Sequence, residues 1–271
     1  MIPSWELLSK VFTVETIMTP YDQLLKWDGN EPLEALWRRA AHLKVDTIPF
    51  EQNGRMLGVL QRDSDTPVPL TAEWLISRDT AIPDIVQVFA EPEQPCLFVF
   101  YRQKVIGIVT PADLNKLPAR TYFYNLLAEL EMTIAEKIRR HYGDEQDTIL
   151  TLLDRDDETD RIKSRIDKSD LSIDIVHLLT LSQLVNITRK SKILYQNKTL
   201  YQTLGFPSAS QVEKHMNGLV YLRNEIMHAN QLILDDYNGI EKLNEGIKRA
   251  LEILNRMTAS NNSIPIQYGE E

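Results

Sequence analysis

Cysteine is almost missing from this chain. Its 271 residues hold one, Cys96, so an intrachain disulfide and a cysteine-built zinc cage are both excluded. A single thiol also fits a reducing compartment. No apolar run approaches the ~18 residues of a membrane helix. The opening, Met1-Ile2-Pro3-Ser4-Trp5-Glu6, lacks the basic-then-apolar layout of a signal peptide. A cytoplasmic location is therefore expected. A surplus of positive charge is missing as well: Lys plus Arg is 30, Asp plus Glu is 39, and the formal charge is −9. That argues against wholesale wrapping of nucleic acid and leaves room only for a local basic patch. Also absent are a phosphate-cradling glycine-rich loop, a Ser-His-Asp signature and a paired-carboxylate motif. What remains is 43% hydrophobic and 25% charged, a balance that supports a folded core.

Proline is unevenly placed. Eleven of the thirteen prolines stand at or before Pro118, and only Pro207 and Pro265 follow. The first ~120 residues read as short strands alternating with helices, whereas the rest reads as long helical repeats. The expected boundary lies near 117–122, giving domains 1–118 and 119–258 and a flexible tail 259–271.

The first half holds an internal repeat, with units at about 13–65 and 72–117. One runs from Thr13-Val14-Glu15-Thr16-Ile17-Met18-Thr19-Pro20 through a helix from Pro32 to Leu43. A strand at Thr47-Ile48-Pro49-Phe50, a turn at Gln52-Asn53-Gly54-Arg55 and a strand Leu57-Gly58-Val59-Leu60 complete it. The Asn-Gly pair suits a tight hairpin. The other opens at Ala72-Glu73-Trp74-Leu75-Ile76 and has a helix near Ile82–Phe89. It continues with Cys96-Leu97-Phe98-Val99-Phe100, a turn at Arg102-Gln103-Lys104, and Val105-Ile106-Gly107-Ile108-Val109-Thr110-Pro111-Ala112-Asp113-Leu114. Both units are expected to read strand, helix, strand, turn, strand, helix.

These residues resemble a tandem pair of cystathionine-β-synthase (CBS) domains. Met18-Thr19-Pro20 is similar to that family's opening motif. Gly107-Ile108-Val109-Thr110-Pro111-Ala112-Asp113 is similar to its strand-to-helix motif. A helix starting near Pro111 would direct backbone N–H groups at a phosphate. Thr110 can cap that helix or touch the phosphate, and Asp113 can accept both hydroxyls of a ribose. The resemblance implies an adenine nucleotide as regulatory ligand, held by Thr110 and Asp113. Read on spacing alone, Thr110 is an N-cap and Asp113 a favourable first-turn acid. The first unit departs from the motif: Gln61 replaces Thr, Ser64 replaces Asp, and Asp65 comes one residue late. A second equivalent site is thereby in doubt, and Arg62 reads as a solvated surface residue.

The second half is expected to form five helices: Tyr122–Tyr142, Glu145–Ile166 with a break near Asp154–Asp157, Leu171–Arg189, Ser210–Leu234 and Tyr237–Met257. The first carries a stripe of Phe123, Leu126, Leu127, Leu130, Ile134 and Ile138. The string Tyr221-Leu222-Arg223-Asn224-Glu225-Ile226-Met227-His228 contains Arg-Asn, three residues, then His. It resembles the signature of the HEPN superfamily, α-helical bundles whose active members are metal-independent dimeric ribonucleases. Leu126-Leu127-Ala128-Glu129-Leu130-Glu131 is similar to that family's first long helix. The expected fold class is thus an α+β tandem CBS module followed by an all-α HEPN-like helical bundle.

The residue types suit RNA cleavage by its own 2′-hydroxyl. Histidine moves protons near neutral pH and arginine steadies a crowded phosphate. The candidate catalytic residues are Arg223, Asn224 and His228. Asn224 and His228 share a helix face, whereas Arg223 and His228 lie about 140° apart around it. Two copies facing across a two-fold axis would bring one guanidinium and one imidazole together, so a homodimer is expected. The expected activity is a ligand-regulated endoribonuclease acting on single-stranded RNA without a metal, and analogy with sensor–nucleases suggests defence. The alternative is a non-catalytic nucleotide-sensing scaffold with an inactive helical domain; an antitoxin-like regulator is a third class. His42, His141, His177 and His215 show no metal-ligand spacing and read as surface or boundary residues. Cys96 reads as core. Arg189-Lys190-Ser191-Lys192 and Lys198 are either a solvated helix end or part of an RNA path.

Overall fold

The computed structural model describes residues 4–62, 64–91, 95–143, 145–153, 160–162, 164, 174–227 and 237–261. The chain divides into two compact units. One comprises Met1–Tyr122 with Leu232–Glu241, and the other Phe123–Gln231 with Lys242–Glu271. The N-terminal region is α+β and the C-terminal unit is helical. An eight-residue helix, α1 (Ser4–Val11), precedes the repeats and buries none of its residues.

In the first unit, α2 (Val14–Ile17) precedes β1 (Thr19–Pro20), where a continuous strand was expected. The N–H groups of Val14 and Glu15 donate to the carbonyls of Thr80 and Arg78, leaving a single helical turn between two extended residues. Then come α3 (Leu33–Leu43), β2 (Thr47–Gln52), β3 (Arg55–Gln61) and β4 (Val68–Pro69). They are followed by β5 (Leu75–Ser77), α4 (Ile82–Phe89), β6 (Leu97–Tyr101) and β7 (Lys104–Val109). α3 ends where Lys44 turns left-handed, at φ 55°.

The strands form two sheets, ordered β1-β7-β6-β5 and β2-β3-β4. The repeat units therefore exchange their opening strands. β1, from the first unit, pairs antiparallel with β7 of the second, with Thr19 opposite Ile108 and Pro20 opposite Gly107. β4 lies 49 positions after β1 and so opens the second repeat, which starts before the expected residue 72; it pairs with β3 of the first, with Val68 opposite Val59 and Pro69 opposite Gly58. The two sheets repeat at 49 positions: Gly58 and Gly107, Pro20 and Pro69, and the left-handed turn residues Asn53 and Arg102. The register shifts after Phe50 and after Val99 keep the same spacing. The expected closing helix of the first unit is replaced, among the described residues, by a turn and β4: Pro67 and Pro69 have no N–H to give a helix, and the Leu70 N–H donates to the Leu57 carbonyl. Core side chains include Leu36, Ile48 and Leu60 around α3, and Trp74, Cys96 and Phe98 around the second sheet.

The second unit begins on α5 (Leu117–Tyr142), whose stripe of Phe123, Leu126, Leu127, Leu130, Ile134 and Ile138 is buried. α6 (Gln146–Leu152) follows, and the expected break near Asp154–Asp157 lies outside the described residues. The expected helix Leu171–Arg189 is instead a 3-10 turn at Ile175–Leu178 and a separate α7 (Leu181–Lys190). Thr180 and Gln183 form a reciprocal capping box there, which starts a new helix. A short hairpin of β8 (Leu194–Tyr195) and β9 (Lys198–Thr199) lies between the helices of this bundle. Then follow α8 (Leu200–Thr203), α9 (Ala209–Met227) and α10 (Tyr237–Asn261). α10 runs past Ala259; the rest of the expected tail lies outside the described residues. Ile134, Val185, Phe206, Met216 and Ile253 meet around one apolar gap in the core.

Candidate functional site

β7 delivers Thr110 in an extended conformation to a 3-10 turn at Pro111–Asn115. The expected helix starting at Pro111 is thus one short turn. Lys116 N–H closes it on the Asp113 carbonyl, Lys116 is extended, and α5 starts afresh at Leu117. Thr110 donates its backbone N–H (2.6 Å) and its hydroxyl (2.9 Å) to Asp113 Oδ2, and Asp113 N–H donates to the Thr110 carbonyl at 3.0 Å. Asp113 is a buried acid, 7% exposed. Its other oxygen, Oδ1, lies 2.7 Å from Lys116 Nζ. That ammonium also donates to the Ile17 carbonyl at 2.6 Å and approaches Thr19 Oγ1 at 3.4 Å.

The structure therefore brings Thr110 and Asp113 together and joins them to the Met18-Thr19-Pro20 motif through β1–β7 pairing and Lys116. Lys116 was missed in the sequence, although the Asp-to-Lys spacing of three residues within a turn is a visible signal. Both carboxylate oxygens of Asp113 are engaged. A ribose diol reaching them meets the two Thr110 donors at Oδ2 and the Lys116 ammonium at Oδ1, where one lone pair remains.

The first unit's counterpart turn differs in chemistry. Gln61 and Ser64 stand 49 positions before Thr110 and Asp113. Arg62, read as solvated, pairs with Asp46 at 2.8 Å, with both side chains more than half exposed. Arg62, Ser64, Asp65, Trp37, Ala41 and Val45 line an open cavity of about 310 Å³.

In the second unit, Arg223 lies on α9. Its Nε donates to Glu131 Oε1 at 3.0 Å, and its Nη1 lies 3.5 Å from Asn224 Oδ1. The same Glu131 oxygen accepts the Leu181 N–H at 3.2 Å. One carboxylate on α5 thus satisfies the first turn of α7 and fixes the Arg223 guanidinium. Arg223 keeps about a quarter of its side chain exposed, and Asn224 is exposed. His228 lies outside the described residues. Glu131 is the partner that sequence reasoning did not assign, because no local spacing links positions 131 and 223.

The other singled-out residues resolve simply. Cys96 is buried, and burial pushes its thiol up to about 12, so it is no nucleophile near neutral pH. His141, expected at a boundary, is 4% exposed. Its Nε2 meets the Ile193 carbonyl at 3.0 Å, and its buried Nδ1 has no partner among the described residues. Burial holds this imidazole below the ordinary histidine range, against the opposing pull of the Ile193 carbonyl. Among the described residues, no group of three or more His, Cys, Asp or Glu side chains is arranged to hold a metal ion, and no helix is long and apolar enough to cross a membrane.

No family model matches the chain, and no curated protein matches it. Solved structures similar to part of it include CBSX2 in complex with AMP, at 18% identity over 38% of this chain and 92% of that one, TM-score 0.33. The CBS domain of a bacterial CNNM/CorC family Mg2+ transporter in complex with ATP matches at 15% identity over 41% and 89%, TM-score 0.33. A CBS-domain pair with bound AMP from Klebsiella pneumoniae matches at 18% identity over 38% and 94%, TM-score 0.30.

Proposed function

We propose that this protein is a nucleotide-controlled endoribonuclease, with a CBS-type pair in its first unit and a HEPN-type active site in its second. In the first unit, Asp113 accepts the ribose hydroxyls of an adenine nucleotide after Lys116 leaves its Oδ1, and Thr110 supports the phosphate side. Released from Asp113, the Lys116 ammonium is a natural counter-charge for that phosphate. Occupancy is then read by the Ile17–Thr19 segment, which the Lys116 ammonium contacts, and by α5, which begins one residue after Lys116.

In the second unit, Arg223 from one subunit and His228 from its twin act on one phosphodiester. The imidazole takes the proton of the RNA 2′-hydroxyl, O2′ attacks phosphorus, and the P–O5′ bond breaks. The imidazolium, directly or through a water, returns its proton to the leaving O5′, giving a 2′,3′-cyclic phosphate and a 5′-hydroxyl. Arg223 donates to the non-bridging oxygens as negative charge gathers there. Asn224 orients the imidazole or the RNA. The observation that carries the reading is the fixed, partly exposed guanidinium of Arg223, oriented by a carboxylate from another helix next to exposed Asn224.

The same ion pair favours a second reading, in which Arg223 is purely structural and the helical unit is a nucleotide-sensing scaffold. One experiment separates them. Purified protein is incubated with single-stranded RNA in excess chelator, with and without AMP or ATP. Cleavage to cyclic-phosphate ends is expected, changed by nucleotide and abolished in Arg223→Ala and His228→Ala. Equal cleavage by these variants and wild type overturns the nuclease reading. For the sensor, Asp113→Asn is expected to lose the nucleotide-induced rise in melting temperature; an unchanged rise overturns the pocket.

A further inference from the structure

The stretch from the end of α7 through the β8–β9 hairpin carries only positive charge, in a chain of net charge −9. From Arg189 to Lys198 the sequence Arg-Lys-Ser-Lys-Ile-Leu-Tyr-Gln-Asn-Lys has four cations and no acid. Two of the cations already serve the fold: Arg189 pairs with Glu213 at 2.9 Å, and Lys190 Nζ reaches the Leu152 carbonyl at 3.4 Å. Lys192 and Lys198 are exposed, and neither makes an ion pair among the described residues.

The hairpin is tight and well anchored. Gln196 and Asn197 both turn left-handed, at φ 51° and 60°, as a two-residue turn between twisted strands requires. At its base, the Tyr142 hydroxyl donates to Ser191 Oγ at 2.5 Å and His141 Nε2 meets the Ile193 carbonyl. The Tyr195 ring rests against His141 at 5.9 Å between centroids, yet Tyr195 keeps 43% of its surface exposed. Leu194 is 61% exposed. Tyr195 and Lys198 are directly opposite in the ladder, so they share one face of the ribbon. An aromatic face whose orientation is set from behind, with an ammonium beside it and a second at the base of the turn, matches the chemistry of single-stranded nucleic acid. Bases stack on the ring and phosphates meet the lysines. A lipid surface fits less well, because two apolar side chains offer little to insert and the chain as a whole repels an anionic bilayer.

We propose that the β8–β9 hairpin is a single-stranded RNA contact site, with Tyr195 as the stacking platform and Lys192 and Lys198 as phosphate contacts. It rests on the reading above only in taking RNA as the polyanion.

The test measures binding of a fluorescein-labelled oligouridine of about twelve nucleotides, a length within the span of one such groove, by anisotropy on the full-length protein. The His228→Ala background blocks turnover. Tyr195→Ala is expected to weaken binding about tenfold and Tyr195→Phe to leave it nearly unchanged. Lys192→Glu with Lys198→Glu is expected to reduce the salt dependence, with the slope of log K against log salt falling by about 1.4. The charge pair is exposed, so its melting temperature is expected to match wild type and to separate binding from folding. Full affinity in the charge variant overturns the proposal. So does a second outcome, in which the variants lose binding to phosphatidylserine vesicles while wild type never binds RNA. Hairpin-dependent RNA binding without any cleavage by wild type leaves the proposal standing and sinks the nuclease instead.

Discussion

Gly58 and Gly107 are the residues whose reason is clearest in atomic terms. A Cβ on Gly107 would sit 2.6 Å from the Thr19 carbonyl oxygen and 2.8 Å from Met18 Sδ. On Gly58 it would press on the Val68 carbonyl in the same way. These glycines are needed for the close approach of the exchanged strands, a demand of packing rather than of a ligand. Gly107→Ala and Gly58→Ala are each expected to destabilise the chain by about 1–3 kcal/mol. Urea unfolding of the full-length protein measures this, and a midpoint equal to wild type would contradict the strand exchange. Asp113 belongs to the same scale. Its carboxylate closes a turn and pairs with Lys116, so removing it alters structure as well as any ligand contact. Asp113→Asn, which keeps an acceptor for Thr110, is therefore the cleaner probe.

At the scale of elements, capping decides where helices start. α7 begins at Leu181 because the Thr180 hydroxyl and the Gln183 amide satisfy each other's backbone N–H groups, while Glu131 takes the Leu181 N–H. The apolar periodicity of 171–189 alone suggests one continuous helix, and the Thr-x-x-Gln box inside it is the sign of a fresh start. Thr180→Ala is expected to cost about 1 kcal/mol and Thr180→Ser almost nothing. Thermal unfolding checks both, and equal effects would mean that the hydroxyl is idle. The long stripe of α5 was legible because one face of a long helix repeats a single pattern. The β8–β9 hairpin was not, because two-residue strands carry no period, and Gln196 shows no turn preference of its own.

The whole molecule should lose stability in acid in two windows. His141 is held below the ordinary histidine range by burial, so on unfolding its imidazole returns to about 6.5 and binds a proton that the folded state refuses. Its contribution is complete above that value and is lost as pH falls through it towards the lower folded value. Glu136 is held at about 2, first by Arg139 and then by Arg140, against the desolvation that raises it. Its contribution is lost lower, as pH falls from the ordinary carboxylate range towards 2. Solvent screening discounts it, since these side chains are a third or more exposed. His141→Gln, which retains a donor for the Ile193 carbonyl, is expected to flatten the fall in melting temperature as pH drops below about 6.5. An unaltered profile would falsify the assignment to His141. At this scale the division of labour is plain. Composition, proline placement and hydrophobic period are local properties, and by themselves they determined an α+β half, a helical half and an internal repeat. Strand exchange, the Lys116 bridge to Ile17 and the grip of Glu131 on Arg223 join positions tens of residues apart. No sequence period encodes such pairs; only the folded backbone, which brings distant carbonyls, ammonium groups and carboxylates within hydrogen-bond reach, decides them.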